Sequence, residues 1–187
     1  DVERSRGLGD VYKRQLVIVS AAVVGVAGVA VSARNEGEEN DANAYIKSGN
    51  AKYGIGDYQG SIEDFSKALI IDPQYALAYY NRGNAKDELE DYKGAIDDYS
   101  KALEIDANHA IAYNNRGVAN RKSGDNRAAI ADYNKALEID SQLAVAYLNR
   151  GISKENDGNL TGACADWREA SALGDEIAAK WVKESCR

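Results

Sequence analysis

The sequence predicts an all-α solenoid, a stack of helix-turn-helix hairpins, and three observations predict it. Gly49, Gly83, Gly117 and Gly151 recur every 34 residues, each inside a helix-patterned stretch. A glycine there costs roughly 1 kcal/mol relative to alanine, so the column implies close approach at the same place in every copy. Aromatic columns share the period: Tyr45, Tyr79, Tyr113 and Tyr147 lie four residues before each glycine, and Phe65, Tyr99, Tyr133 and Trp167 sixteen after it. Finally, apolar and small residues recur at three- and four-residue steps through residues 76–89 and 92–105, the mark of amphipathic helices.

The chain has 187 residues and no methionine, so Asp1 is not expected to be a native start. Residues 1–15, with Arg-Gly-Leu-Gly-Asp-Val-Tyr-Lys-Arg-Gln at 6–15, read as translated adapter sequence and are set aside. Residues 16–33 follow as a signal peptide or N-terminal membrane anchor. Leu16 to Val31 is uncharged and apolar, and Val31-Ser32-Ala33 has the small-residue pattern of a cleavage site. At about 1.5 Å per residue the run reaches roughly 24 Å, short of a ~30 Å hydrocarbon core. A buried core helix is the other reading; nothing nearby in the sequence offers to cover one. Glu36, Glu38, Glu39 and Asp41 follow the run and Lys13 and Arg14 precede it, which puts the repeats on the non-cytoplasmic side. If residues 1–15 are adapter sequence, Lys13 and Arg14 say nothing about that orientation. Residues 34–41 read as a short acidic linker, solvated rather than folded.

The repeats themselves span about 42–75, 76–109, 110–143 and 144–175. Within each copy the two helices are separated by Gly56-Asp57, Glu90-Asp91, Gly124-Asp125 or Gly158-Asn159. Glycine suits a left-handed helix end, and aspartate or asparagine caps the helix that follows. Residues 176–186, carrying Ile177, Ala178, Trp181 and Val182, read as the terminal cap that shields the last apolar face.

Four in-register copies carrying these columns resemble the tetratricopeptide repeat (TPR) family, whose unit is a 34-residue helix, turn and helix. Ala76-Leu-Ala-Tyr-Tyr-Asn-Arg-Gly83 and Tyr92-Lys-Gly-Ala-Ile-Asp-Asp-Tyr-Ser-Lys-Ala-Leu-Glu-Ile-Asp106 carry the resemblance. It implies a right-handed superhelical α-solenoid over residues 42–187. Two departures stand out. The proline that usually closes a repeat survives only as Pro73, replaced by Ala107 and Ser141, which blurs the expected helix ends. Arg82, Arg116 and Arg150 replace the usual leucine before the glycine, with Ser48 in the first copy.

Charge excludes one class of partner. The chain carries a net −7. Residues 42–187 hold 18 basic and 23 acidic side chains, a balance of −5, with no basic patch for phosphate. Nucleic acid is not an expected partner. Nothing recommends an enzyme or a cofactor either. The sole histidine, His109, lies in a turn without a second ligand or nucleophile, and two widely spaced cysteines make no zinc pattern. The carboxylate column Asp64, Asp98, Asp132 and Asp166 recurs in every copy, which points to architecture. Asp98 and Asp132 are expected to pair with the arginine column; the alternative is that both columns are solvated. Cys164 lies ten residues before Gly174 and Cys186 twelve after it. If the flanking helices fold back, the sulfurs fall at one height and form a disulfide; two buried free thiols are the alternative.

In TPR proteins the first helices of successive copies line a concave groove that takes peptides or helices. The resemblance implies groove positions at Lys47, Asn50, Tyr80, Asn81, Asn84, Asn114, Asn115, Arg121, Leu148 and Asn149. A primary amide both donates and accepts, so the file Asn81, Asn115, Asn149 suits a peptide backbone; plain polar surface is the alternative. The carboxylate clamp with which some relatives hold acidic tails is incomplete. Asn50 and Asn81 match it, but Ile46, Ile111 and Asn115 stand where it needs basic residues. The expected function is a non-catalytic scaffold binding another protein. The alternatives are the adaptor portion of a larger polypeptide or assembly, and a cytosolic co-chaperone.

Overall fold

The computed structural model describes residues 36–186. Among them are nine α-helices: α1 Glu36–Gly54, α2 Tyr58–Ile71, α3 Ala76–Glu88, α4 Tyr92–Ile105, α5 Ala110–Lys122, α6 Asn126–Ile139, α7 Ala144–Asn156, α8 Leu160–Ala172 and α9 Glu176–Ser185. The readings of residues 1–15 as non-native and of 16–33 as a signal or anchor fall outside the described residues. No helix among the described residues is long and apolar enough to cross a membrane. The acidic stretch read as an unfolded linker is helical from Glu36 onward. Lack of apolar residues suggested solvation, yet acidic residues are favourable where the helix macrodipole presents its positive end.

Helices pair in order, α1 with α2, α3 with α4, α5 with α6 and α7 with α8, and each pair leans on the next. The turn inside each pair has one construction. A left-handed residue ends the first helix: Gly56 at φ 81°, Gly124 at 97°, Gly158 at 79° and, against the steric rule, Glu90 at 60°. The next residue then caps the second helix. Asp57, Asp91, Asp125 and Asn159 accept from the backbone N–H three residues on, at 2.9 to 3.0 Å.

The turn between pairs explains why losing two prolines leaves the helix ends unblurred. α2, α4 and α6 all stop at the same register, at Ile71, Ile105 and Ile139. Asp72, Asp106 and Asp140 close these ends by accepting from Gln74, Asn108 and Gln142 N–H at 2.9 to 3.1 Å. That side-chain turn fixes the exit direction with or without the proline.

The glycine column is explained by the ring behind it. A Cβ on Gly49, Gly83 or Gly117 would come within 2.5, 2.8 or 2.6 Å of the Phe65, Tyr99 or Tyr133 ring, and one on Gly151 would strike the Trp167 indole. Each of these rings is buried. Small residues complete the seam, with Ala68, Ala102, Ala136 and Ala170 fully enclosed beneath them.

At the C-terminal end α9 lies on α8. Trp181 meets Trp167 edge-on at 5.2 Å, and Val182 and Cys186 join the cluster of Leu148, Ala163 and Ala170. Gly174 at φ 97° and Asp175, which accepts from Ala178 N–H at 2.8 Å, repeat the turn used within the copies. Cys164 and Cys186 form a disulfide with Cα atoms 5.5 Å apart, closing 22 residues around this cap. Closing such a loop contributes about 3 kcal/mol in the chain-entropy account.

Candidate functional site

The arginine column stitches the copies together. Arg82 donates from Nε and Nη2 to both oxygens of Asp98, at 2.8 and 2.6 Å, and from Nη1 to Ser66 Oγ at 3.0 Å. Arg116 repeats this with Asp132 and Ser100, and Arg150 with Asp166 and Asn134. One guanidinium thus joins its own two helices to the second helix of the copy before. Each arginine also lies over the tyrosine three residues earlier, Tyr79, Tyr113 or Tyr147, at 5.4 to 5.5 Å. The aspartates Asp98, Asp132 and Asp166 are therefore engaged in joining helices and copies.

The first copy lacks the arginine and solves the same problem otherwise. Asp64 accepts from Ser48 Oγ at 2.6 Å and pairs with Lys52 at 2.7 Å and Lys67 at 3.1 Å. Burial pushes this carboxyl up, but the Lys52, Ser48 and Lys67 donors outweigh it and hold its pKa at about 2. His109 is also structural: Nδ1 accepts from Ala112 N–H at 3.3 Å, capping α5, and the ring stacks on Tyr80 at 4.9 Å.

The first helices α1, α3, α5 and α7 form a continuous wall, shown by hydrogen bonds that run from one to the next. Asn81 donates to Asn50 Oδ1 at 2.9 Å. Asn115 donates to Tyr80 Oη at 3.2 Å and Asn84 Oδ1 at 3.1 Å, and Asn149 to Asn114 Oδ1 at 3.1 Å. The asparagine file thus spends much of its capacity on its neighbours. Asn115 also accepts from Asn114, which makes it a hub of the stack rather than a row of idle donors.

Exposure divides the groove residues named from the sequence. Lys47 and Asn50 are exposed, and Tyr80, Asn81, Asn84, Asn115 and Arg121 half-buried. Asn114, Leu148 and Asn149 are buried. Asn114 and Leu148 share the position of Ile46, which is buried in a cluster with Phe65, Ala68 and Leu69 of α2. Of the incomplete clamp, Ile46 is thus inside while Ile111 stands out on the wall.

Sequence reading passed over a second column on the same helix face. Leu77, Ile111 and Val145 stand four residues before Asn81, Asn115 and Asn149, and remain 43%, 49% and 41% exposed. Three aliphatic side chains in register on a solvent-facing wall are an apolar strip without a covering element among the described residues. Their 34-residue spacing was visible, but nothing in it distinguished an uncovered row from a core row.

A cavity of about 140 Å³ is lined by Tyr53, Asn84, Asp87, Glu88, Tyr99, Asn115 and Val118. Tyr99 donates to Asn84 Oδ1 at 2.8 Å and Tyr53 to Glu88 at 3.3 Å. Burial, with the Glu88 carboxylate beside it, pushes the Tyr53 hydroxyl up to about 12, and burial drives Tyr99 higher still. Both phenols stay protonated and act as donors. Among the described residues no cluster of histidine, cysteine or carboxylate could hold a metal ion.

Comparison with known families decides the lineage. The tetratricopeptide repeat model matches residues 76–109 and 110–143, and a further TPR repeat model matches 49–87. The chain belongs to the tetratricopeptide repeat family. Its architecture is the right-handed superhelical solenoid of that family. Among solved structures, the crystal structure of MamA matches with a TM-score of 0.70 and 26% identity over 77% of this chain and 84% of that one. The TPR domain of Arabidopsis OM64 matches at 0.62 and 25%, over 64% and 98%. The first TPR of Spaghetti (RPAP3), solved with the HSP90 peptide SRMEEVD, matches at 0.63 and 23%, over 64% and 94%; that likeness concerns the fold. Comparison with curated proteins finds no match. Membership makes this TPR chain an interaction scaffold.

Proposed function

We infer that the wall of first helices receives an extended segment of another protein and that the chain catalyses nothing. The observation that carries this reading is the exposed row Leu77, Ile111 and Val145 above the ordered amides Asn50, Asn81 and Asn84. Aliphatic side chains gain by leaving water, and amides whose orientation is already fixed lose little entropy on engaging a backbone. Peptide-display selection against the folded domain tests it. Selected peptides are expected to perturb the amide NMR signals of Asn81, Ile111 and Val145, and Ile111→Asp to abolish binding without lowering Tm. Failure to select any peptide, or perturbation confined to the second helices α2, α4 and α6, contradicts the reading.

The setting we infer is the non-cytoplasmic side of a membrane, reached through residues 16–33 as a signal peptide or anchor. Two features support it: the uncharged run Leu16 to Val31 and a Cys164–Cys186 disulfide, which persists where the surroundings are oxidising. Fractionation of the native host with thiol counting tests it; a reduced protein in the cytosolic fraction contradicts it and favours a cytosolic co-chaperone.

A further inference from the structure

Resting on the reading that this wall binds a segment, the cavity beside Asp87 indicates what that segment carries. Two carboxylates, Asp87 and Glu88, line it. Lys122 reaches Asp87 Oδ2 at 2.7 Å, which leaves the pair of carboxylates with one ammonium between them. Asp87 Oδ1 meets no donor among the described residues, and the side chain, 18% exposed, lines the open cavity. A carboxylate left short of donors gains from a ligand that brings N–H groups into the cavity. The other polar walls offer little competition. Asn84 Oδ1 already accepts from Tyr99 and Asn115, and the Tyr53 hydroxyl is committed to Glu88. An ammonium with three donors, or a guanidinium with five, supplies what is missing, whereas an acidic side chain adds repulsion.

The wall changes character one copy further on. At the position of Asn84 the next copies carry Val118, the apolar side of the cavity, and Ile152, and the exposed Ile111 and Val145 lie on the same helices. Packed helices lie about 8–10 Å apart, and an extended chain advances about 3.3 Å per residue, so adjacent copies are roughly three ligand residues apart. We propose that the bound segment places a lysine or arginine side chain in the Asp87/Glu88 cavity, its stem against Val118, and an aliphatic side chain about three residues away against Ile111 and Val145. This specificity is the reverse of the acidic-tail clamp whose basic positions the chain lacks.

Parallel display selections on the wild-type domain and on Asp87→Asn/Glu88→Gln test the proposal, with Glu88→Gln alone as a second variant should the double one lower Tm. Wild type is expected to select lysine or arginine three residues from an aliphatic residue. A selected peptide should bind at least tenfold more tightly than its counterpart with norleucine for the basic residue. The variants should lose that preference while still selecting the aliphatic residue. Groove-binding peptides with no basic preference, or a preference that survives in the variants, overturn the proposal and leave the groove reading standing. Absence of any selected peptide overturns both.

Discussion

Arg116 grips both oxygens of Asp132, from Nε at 3.0 Å and Nη2 at 2.6 Å, while its Nη1 holds Ser100 in the preceding copy. The pair lies where neighbouring hairpins meet, and Asp132 is buried. Arg116→Leu, which restores the residue common in the family, leaves that carboxylate without its guanidinium partner. A loss of about 2 to 4 kcal/mol is expected in chemical denaturation. Replacing both partners by leucine should cost less than the two single changes summed, so the double-mutant cycle should show a coupling above ~1 kcal/mol. Additive effects would mean that the pair is solvated.

Gly117→Ala sets helix propensity against space. Alanine gains roughly 1 kcal/mol of propensity, but its Cβ would sit 2.6 Å from the Tyr133 ring in a packed seam. Net destabilisation of about 1 to 3 kcal/mol is expected from thermal unfolding. Gly54, also helical, has nothing within 4 Å of such a Cβ, so Gly54→Ala should stabilise by up to ~1 kcal/mol. A similar response at both sites would remove the ring as the cause.

Glu90 occupies the left-handed position, φ 60°, that Gly56, Gly124 and Gly158 fill in the other copies. Glu90→Gly relieves the Cβ strain and should raise stability by about 1 kcal/mol, less the extra entropy of the unfolded chain. No gain in the denaturation midpoint would show that the turn tolerates the side chain without strain.

The arrangement of hairpins was legible because it repeats: a glycine column every 34 residues, with an aromatic sixteen residues on, identifies a seam used four times. The bonds between copies were less legible. Ser66, Ser100 and Asn134 are unremarkable polar residues in sequence, and only their distance to the arginine of the next copy gives them a role. The amide file shows the same limit. Its spacing exposed a shared position, but whether an asparagine faces water or the neighbouring helix depends on the angle between first helices, which the spacing does not encode. Asn149 is buried while Asn81 and Asn115, at the same repeat position, are half-buried.

Asp64 makes the first copy sensitive to acid. Its carboxyl titrates near 3.8 when unperturbed and at about 2 in the fold. A depressed folded pKa means that the stabilisation is complete above pH ~4 and is lost as pH falls towards 2. Tm measured across that window should drop, and Asp64→Asn should flatten part of the drop while lowering Tm at neutral pH. An unchanged slope in Asp64→Asn would assign acid sensitivity to other carboxylates.

The wall of first helices is tested most directly by a photoreactive amino acid placed at position 111, on that wall, and separately at position 70, exposed on the second helix α2. Irradiation in extract of the native host should yield a discrete cross-linked partner from position 111 and none from position 70. A partner captured from position 70 alone would place binding on the second helices and contradict the account.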